Sequence, residues 1–270
     1  MPLTDLIRYF NMADQDGDST LYQEKGRAAA WHRGLRLGSH FRPIVNLSAD
    51  RIVGHQALLV ASLADGSAIS PTDAYAACES AEAVVHFDRL CRTLHALNFL
   101  AQQRYAGGYL QMAVHPRHIQ AIPNQHGLVY EAILKRCGLA PQDIVLHIDN
   151  PTTGASPAMA AALASYRLRG YRLALSAPLG TSASWPLSFV PDIVQISADH
   201  ELAGLEALQR DGVSIELVGI DSGLIYQQAA SAGIALGQGD LFGLPQADCR
   251  PTHGKGRVAY NAASPFRSPP

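Results

Sequence analysis

From about residue 41 the chain alternates short β-like runs with longer helix-like ones, and this alternation limits the fold more than any other feature. The β-like runs are FRPIVNL (41–47), RIVGHQALLV (51–60), YLQMAV (109–114), DIVLHI (143–148), YRLALS (171–176), DIVQIS (192–197), SIELVGI (214–220) and the short IALGQG (234–239). Several are continuous Val/Ile/Leu runs, the pattern of parallel strands covered on both faces. Between them the spacing predicts helices over 72–79, 83–104, 127–137, 157–168, 200–210 and 223–232. Ser70-Pro71 marks one helix start, and Asn124 is placed to cap another. Strands alternating with helices over some 200 residues imply an α/β fold, a TIM-type (β/α)8 barrel. An open doubly wound sheet is the alternative, but no strand-to-helix turn carries GxGxxG.

The two ends break the alternation. Residues 1–40 read as a short helical N-terminal extension, with an amphipathic segment (Leu3, Leu6, Ile7, Phe10) and a second helical stretch near 20–36. Residues 41–245 read as the barrel, and 246–270, rich in Pro, Gly and Ser without periodicity, as a flexible tail. The run Asp14-Gln15-Asp16-Gly17-Asp18 has the form of half a calcium loop. Ser19 stands where the turn needs glycine, however, and Glu24 falls one position short of the bidentate ligand, so it reads as a solvated acidic turn.

Charge narrows the partners. With 21 Lys+Arg against 23 Asp+Glu, the formal net charge is −2, so no basic field draws a nucleic acid or an anionic membrane. Cys78, Cys91, Cys137 and Cys249 are scattered without a CxxC pair, which argues against a disulfide framework and against a zinc site. The first residues lack the basic-then-apolar layout of a signal peptide, and no apolar stretch reaches the roughly 20 residues of a spanning helix. A soluble, cytoplasmic chain is the expectation.

A family resemblance then emerges from motifs in order. FRPIVNLSADRIVGHQALL is similar to YQPIVDL…IVGxEALLR, and ISPTDAYAACESAEAVVHFDRL to SPxxFIxxAExxGLIxxLD. LQMAVHPRHI matches a third-strand motif in its NVHPRHL form. IVLHIDN stands at LELEITE, LALSA at IALDD, FVPDIVQIS at LPVDVLKID, IELVGID at VVAEGVE and QGDLFGLP at QGYLFGRP. On these residues the chain resembles the EAL domain, the bacterial cyclic di-GMP phosphodiesterase module, which implies a modified TIM-type barrel.

The resemblance implies two-metal phosphodiester hydrolysis by carboxylates and an amide at the strand ends. At those positions this chain carries Gln56, Ala113, His147, Ser176, Ala177, Gln195, Ser197 and Val218, and the motif glutamine survives as Gln238. The expectation is therefore a degenerate member: no catalytic residues, no metal, no cofactor and no enzyme activity. His115, His118, His147 and Asp149 read as hydrogen-bonded polar residues rather than a substitute metal cluster. A regulatory role through a protein partner follows, with the N-terminal stripe and the helix from Ala81 to Leu90 as candidate surfaces. Metal-independent cyclic di-GMP binding through Arg42, Gln56, Gln195 and Gln238 is the alternative, and residual hydrolysis a third reading. Val60, where relatives carry a phosphate-binding arginine, and Asp240 at the cleft rim weigh against binding. The resemblance also allows a homodimer, since family members pair through barrel helices.

Overall fold

Two long strands, β3 (Leu35–Asn46) and β4 (Arg51–Ser62), pair antiparallel along nearly their whole length and set the frame for the rest. In the computed structural model, which describes residues 2–13, 19–102, 108–122, 127–149, 157–176, 190–199 and 212–250, this pair closes a barrel. Its other strands are β6 (Tyr109–Ala113), β7 (Ile144–Ile148), β8 (Arg172–Ser176), β9 (Ile193–Ser197), β10 (Ser214–Val218) and β11 (Leu236–Gln238). The order around the barrel is β3-β11-β10-β9-β8-β7-β6-β4, returning to β3. From β4 through β6 to β11 each neighbouring pair is parallel, and β3 alone runs antiparallel to both its neighbours. Closure removes the free edges that such an apolar sheet would otherwise present.

The helices cover the outside. They include α2 (Pro71–Ala76), α3 (Ala81–Gln102), α4 (Pro116–Ala121), α5 (Leu128–Cys137), α6 (Pro157–Leu168) and α7 (Gly223–Ser231). α2 starts where Ser70 and Pro71 predict it, with the Asp73 amide donating to Ser70 Oγ at 3.1 Å. The helix expected over 200–210, the cap at Asn124 and the acidic turn at Asp14–Asp18 lie outside the described residues.

The expected helix near 20–36 is corrected to strands. After α1 (Leu3–Ala13) come β1 (Ser19–Glu24) and β2 (Arg27–His32), which extend the sheet antiparallel beyond β3, while the short β5 (Ala68–Ile69) pairs with β4. Each N-terminal hairpin turns on two residues, Lys25-Gly26 (φ 48° and 79°) and Arg33-Gly34 (φ 47° and 82°). Both residues at positive φ is the geometry of a type I′ turn, whose twist matches the flanking strands. The Ala-rich run RAAAW carries helix propensity, but the turns and the burial of Ala28 and Ala30 against α3 outweigh it.

The same packing answers where the amphipathic N-terminal stripe goes. Leu6 and Ile7 are buried with Leu21, Ala30, Val84, Phe87 and Leu94 in one cluster, so the stripe and the α3 face cover each other. The barrel strands' outward residues (Leu110, Met112, Leu146, Ile148, Leu173, Leu175) pack with α5 and α6 side chains in another. Side chains of this size each contribute about 1.5–3 kcal/mol on full burial. The start of the expected tail is held rather than loose: Gln246 exchanges both backbone hydrogen bonds with Phe41, and the Arg250 amide donates to His55 Nε2 at 3.1 Å. No helix among the described residues is long and apolar enough to cross a membrane.

Candidate functional site

Strand periodicity builds the barrel interior. Ile44, Tyr109, Val145, Ala174, Ile193 and Leu236 come from six barrel strands and pack together as an apolar floor. Side chains on a strand return to the same face every second residue. Two residues further along each strand stand Gln111, His147, Ser176, Gln195 and Gln238, with Arg42 two residues from Ile44 on the antiparallel β3. Glu216 on β10 joins this layer, its carboxylate accepting from Gln195 Nε2 at 3.2 Å and from Gln238 Nε2. A polar layer thus lies on an apolar floor, facing the C-terminal ends of the parallel strands.

Glu216 is fully buried. Burial raises its pKa, while the amides of Gln238, Gln195 and Gln111 act in the opposite direction. Its Oε1 takes both amide donors and its Oε2 has no partner. Gln111 faces the same carboxyl but closes no hydrogen bond of good geometry, and its Nε2 and Oε1 are both unpartnered. His147 Nε2 lies 2.8 Å from Ser176 Oγ, and burial lowers its pKa, favouring the neutral imidazole, while Asp149 acts in the opposite direction.

Nearer the opening, Arg42 meets Asp240 across a loose 3.4 Å contact, with its side chain about a quarter exposed (23%) and its Nε buried and unpartnered. Gln56 pairs in register with Arg42 on one side and Gln111 on the other, half-buried. Ala113 and Val218 bring only hydrocarbon to the rim, and Ala177 lies outside the described residues.

The histidines separate into two places. His118 and His115 belong to the β6–α4 junction outside the barrel, where Asp88 of α3 gathers them. Asp88 Oδ2 lies 2.7 Å from the Arg92 guanidinium and 3.1 Å from His118 Nδ1, while its Oδ1 accepts from the His115 amide at 3.1 Å and from Tyr75 OH at 3.0 Å. The His115 ring stacks on Tyr75 at 4.2 Å. His147 lies inside the barrel, tied to β8. Among the described residues no group of three His, Cys, Asp or Glu side chains is arranged to hold a metal ion. At the positions corresponding to the family's metal ligands, the donors are amide, imidazole and hydroxyl, which do not fit a pair of hard dications.

Sequence reasoning missed two interior residues, Glu216 and Gln111. Each is a buried polar residue between two buried apolar ones (IEL, LQM), and counting two residues on from Ser214 or Tyr109 would have placed both inside.

The family model for the EAL domain matches residues 28–184, more than half of the chain. No curated protein matches the sequence. Among solved structures, Klebsiella pneumoniae BlrP1 in a calcium and cyclic di-GMP complex aligns with TM-score 0.66 at 18% identity, over 86% of this chain and 60% of that one. BlrP1 with FMN and cyclic di-GMP and no metal ions aligns with TM-score 0.62 at 19% identity, over 86% and 58%. A standalone EAL protein from Vibrio cholerae O395, bound to cyclic di-GMP, aligns with TM-score 0.60 at 15% identity, over 81% and 96%. The chain therefore spans about 60% of the length of BlrP1 and nearly all of the Vibrio protein.

These matches correct the expectation that the chain is no enzyme. The matched family is one of cyclic di-GMP phosphodiesterases, and the expectation rested on a tally of the family's ligand positions alone. That tally counted the loss of every carboxylate at the family's ligand positions and left out Glu216, which stands in the interior two residues before Val218 on the same strand face. With its closed eight-stranded barrel and a matching model over 28–184, this chain belongs to the EAL domain family.

Proposed function

We propose that the barrel mouth binds cyclic di-GMP and that the chain works in cyclic di-GMP signalling, with phosphodiester cleavage the activity its family points to. One observation carries the binding reading: polar side chains from successive strands, placed two residues beyond an apolar floor, converge on one opening. A cyclic dinucleotide presents two phosphodiester anions and two guanine edges, and both are read by fixed donors and acceptors. Arg42 supplies the cation. Its 3.4 Å contact with Asp240 is loose enough for a phosphate to replace, and its partner-free Nε–H offers a second donor. Half-buried Gln56 supplies a neutral amide beside Arg42, while the amide donors of Gln195 and Gln238 are taken by the Glu216 carboxyl beneath. A role through a protein partner, the other reading, requires a surface other than the N-terminal stripe, whose Leu6 and Ile7 are buried.

The test is titration calorimetry of cyclic di-GMP into the purified chain, first with EDTA and then with excess Mg²⁺ or Mn²⁺, followed by chromatography for the linear dinucleotide. Micromolar binding that weakens about tenfold or more in Arg42→Ala supports the mouth as the site, the loss expected for one charge-assisted hydrogen bond. No heat in any buffer sinks the binding reading. Binding without linear product under any metal sinks the cleavage.

A further inference from the structure

We propose that the barrel interior holds a single hard cation, bound by Glu216 Oε2 together with the amide oxygens of Gln111 and Gln238. Three observations converge on this site. Glu216 is 0% exposed, and among the described residues no Lys, Arg or His forms an ion pair with it. A carboxylate taken out of water without a counter-charge is strongly disfavoured, and two amide donors on Oε1 do not supply that charge. Second, three of the unpartnered atoms around it are oxygens: Glu216 Oε2, Gln111 Oε1 and Gln238 Oε1 are buried and unsatisfied, alongside Gln111 Nε2. Native proteins leave few such atoms, and unsatisfied oxygens on residues gathered around one carboxyl can serve as a donor set.

Third, the barrel aims them. β6 and β10 are four strands apart in the eight-strand ring, so Gln111 and Glu216 reach the axis from opposite walls, and Gln238 comes from the strand beside Glu216. The apolar floor of Ile44, Val145, Ile193 and Leu236 closes the space below.

The chemistry selects the ion class. One carboxylate and two amide carbonyls are hard oxygen donors without nitrogen or sulfur, the set that suits Na⁺, K⁺, Mg²⁺, Ca²⁺ or Mn²⁺ rather than Zn²⁺ or Cu²⁺. His147, the nearest imidazole of the layer, has its Nε2 engaged by Ser176. Glu216 and Gln111 lie outside the family's metal positions, which Val218 and Ala113 occupy two residues beyond them, and Gln238 is the retained motif glutamine; the site does not depend on the nucleotide reading above.

The experiment uses the chelator-treated full chain with no nucleotide present. MnCl2, NaCl and KCl are titrated separately at matched ionic strength, following the unfolding midpoint for all three and bound Mn²⁺ by electron paramagnetic resonance. A saturable rise of about 5 °C at cation concentrations far above Kd is expected for at least one ion. Which ion produces it separates a monovalent from a divalent occupant. Glu216→Gln keeps the side-chain shape and removes the charge, so it folds without the cation and loses the response. Gln111→Leu, which leaves the carboxylate and removes one oxygen, weakens the response about tenfold. A midpoint indifferent to all three cations, with no bound Mn²⁺, overturns the proposal, as does a response of equal size in Glu216→Gln.

Discussion

His95 on α3 is buried with its Nδ1 2.7 Å from Ser39 Oγ, and burial pushes its pKa down to about 4. His55 on β4 is lowered to about 4 as well, by burial first and by Arg250 second. In the unfolded chain both titrate near 6.5, so below that pH the unfolded state binds more protons than the native one. Their contribution is complete above about pH 6.5 and drains away as the pH falls through 4, at about 3 kcal/mol each in the acid limit. Urea unfolding between pH 7.5 and 4.5 should show stability falling steadily toward acid, and His95→Gln should flatten the slope. An equal slope in wild type and His95→Gln would remove His95 from this account. The sequence marks these histidines poorly, because an imidazole in an apolar run reads equally as a ligand or as a satisfied core residue. Residues whose place follows from period two were easier. Gln195 and Gln238 could be assigned to the interior from their motifs, whereas Glu216 and Gln111 stood within motifs at places where the family pattern carries no ligand, and were passed over. Only the neighbours brought by β9 and β11 reveal what the Glu216 carboxylate does.

At the level of elements, the strands from 109 onward match their sequence runs within two residues at most ends, because a parallel strand buried on both faces is a continuous apolar run. The helices over 157–168 and 223–231 were equally legible from their spacing. The N-terminal hairpins were not, since RAAAW has the composition of a helix and its pairing partners lie across two turns. The deciding residues are Gly26 and Gly34, both at positive φ and both open to solvent, with nothing within 4 Å of an added Cβ. Substitution by alanine there meets no clash, so its cost is conformational alone, about 1 kcal/mol at each position. Gly34→Ala and Gly26→Ala, measured by denaturant midpoint, should each lower stability by that amount with an unchanged m-value. A neutral result would mean that the β1–β2–β3 turns tolerate a side chain at positive φ, and the hairpin reading of the signal would fail.

For the whole molecule, the barrel and the N-terminal segment form one cooperative body rather than a domain with an appendage. β2 pairs with β3, a barrel strand, and Asn98 of α3 binds the Ala28 backbone from both its amide atoms, Oδ1 at 2.8 Å and Nδ2 at 2.9 Å. Asn11 does the same for Leu21, accepting its N–H at 2.8 Å and donating to its carbonyl at 2.7 Å. Removing residues 1–32 would therefore strip the cover from Val84, Phe87, Leu94 and Leu97, which are 0% exposed in the intact fold, and would leave Asn98 without the Ala28 backbone it binds. Burial of that many large side chains outweighs the few kcal/mol by which domains of this size are stable. A chain beginning at residue 33 should thus lack a cooperative thermal transition and expose apolar surface to a hydrophobic dye. A soluble remnant with a sharp transition would show that the barrel stands alone and that the N-terminal stripe is free for another use.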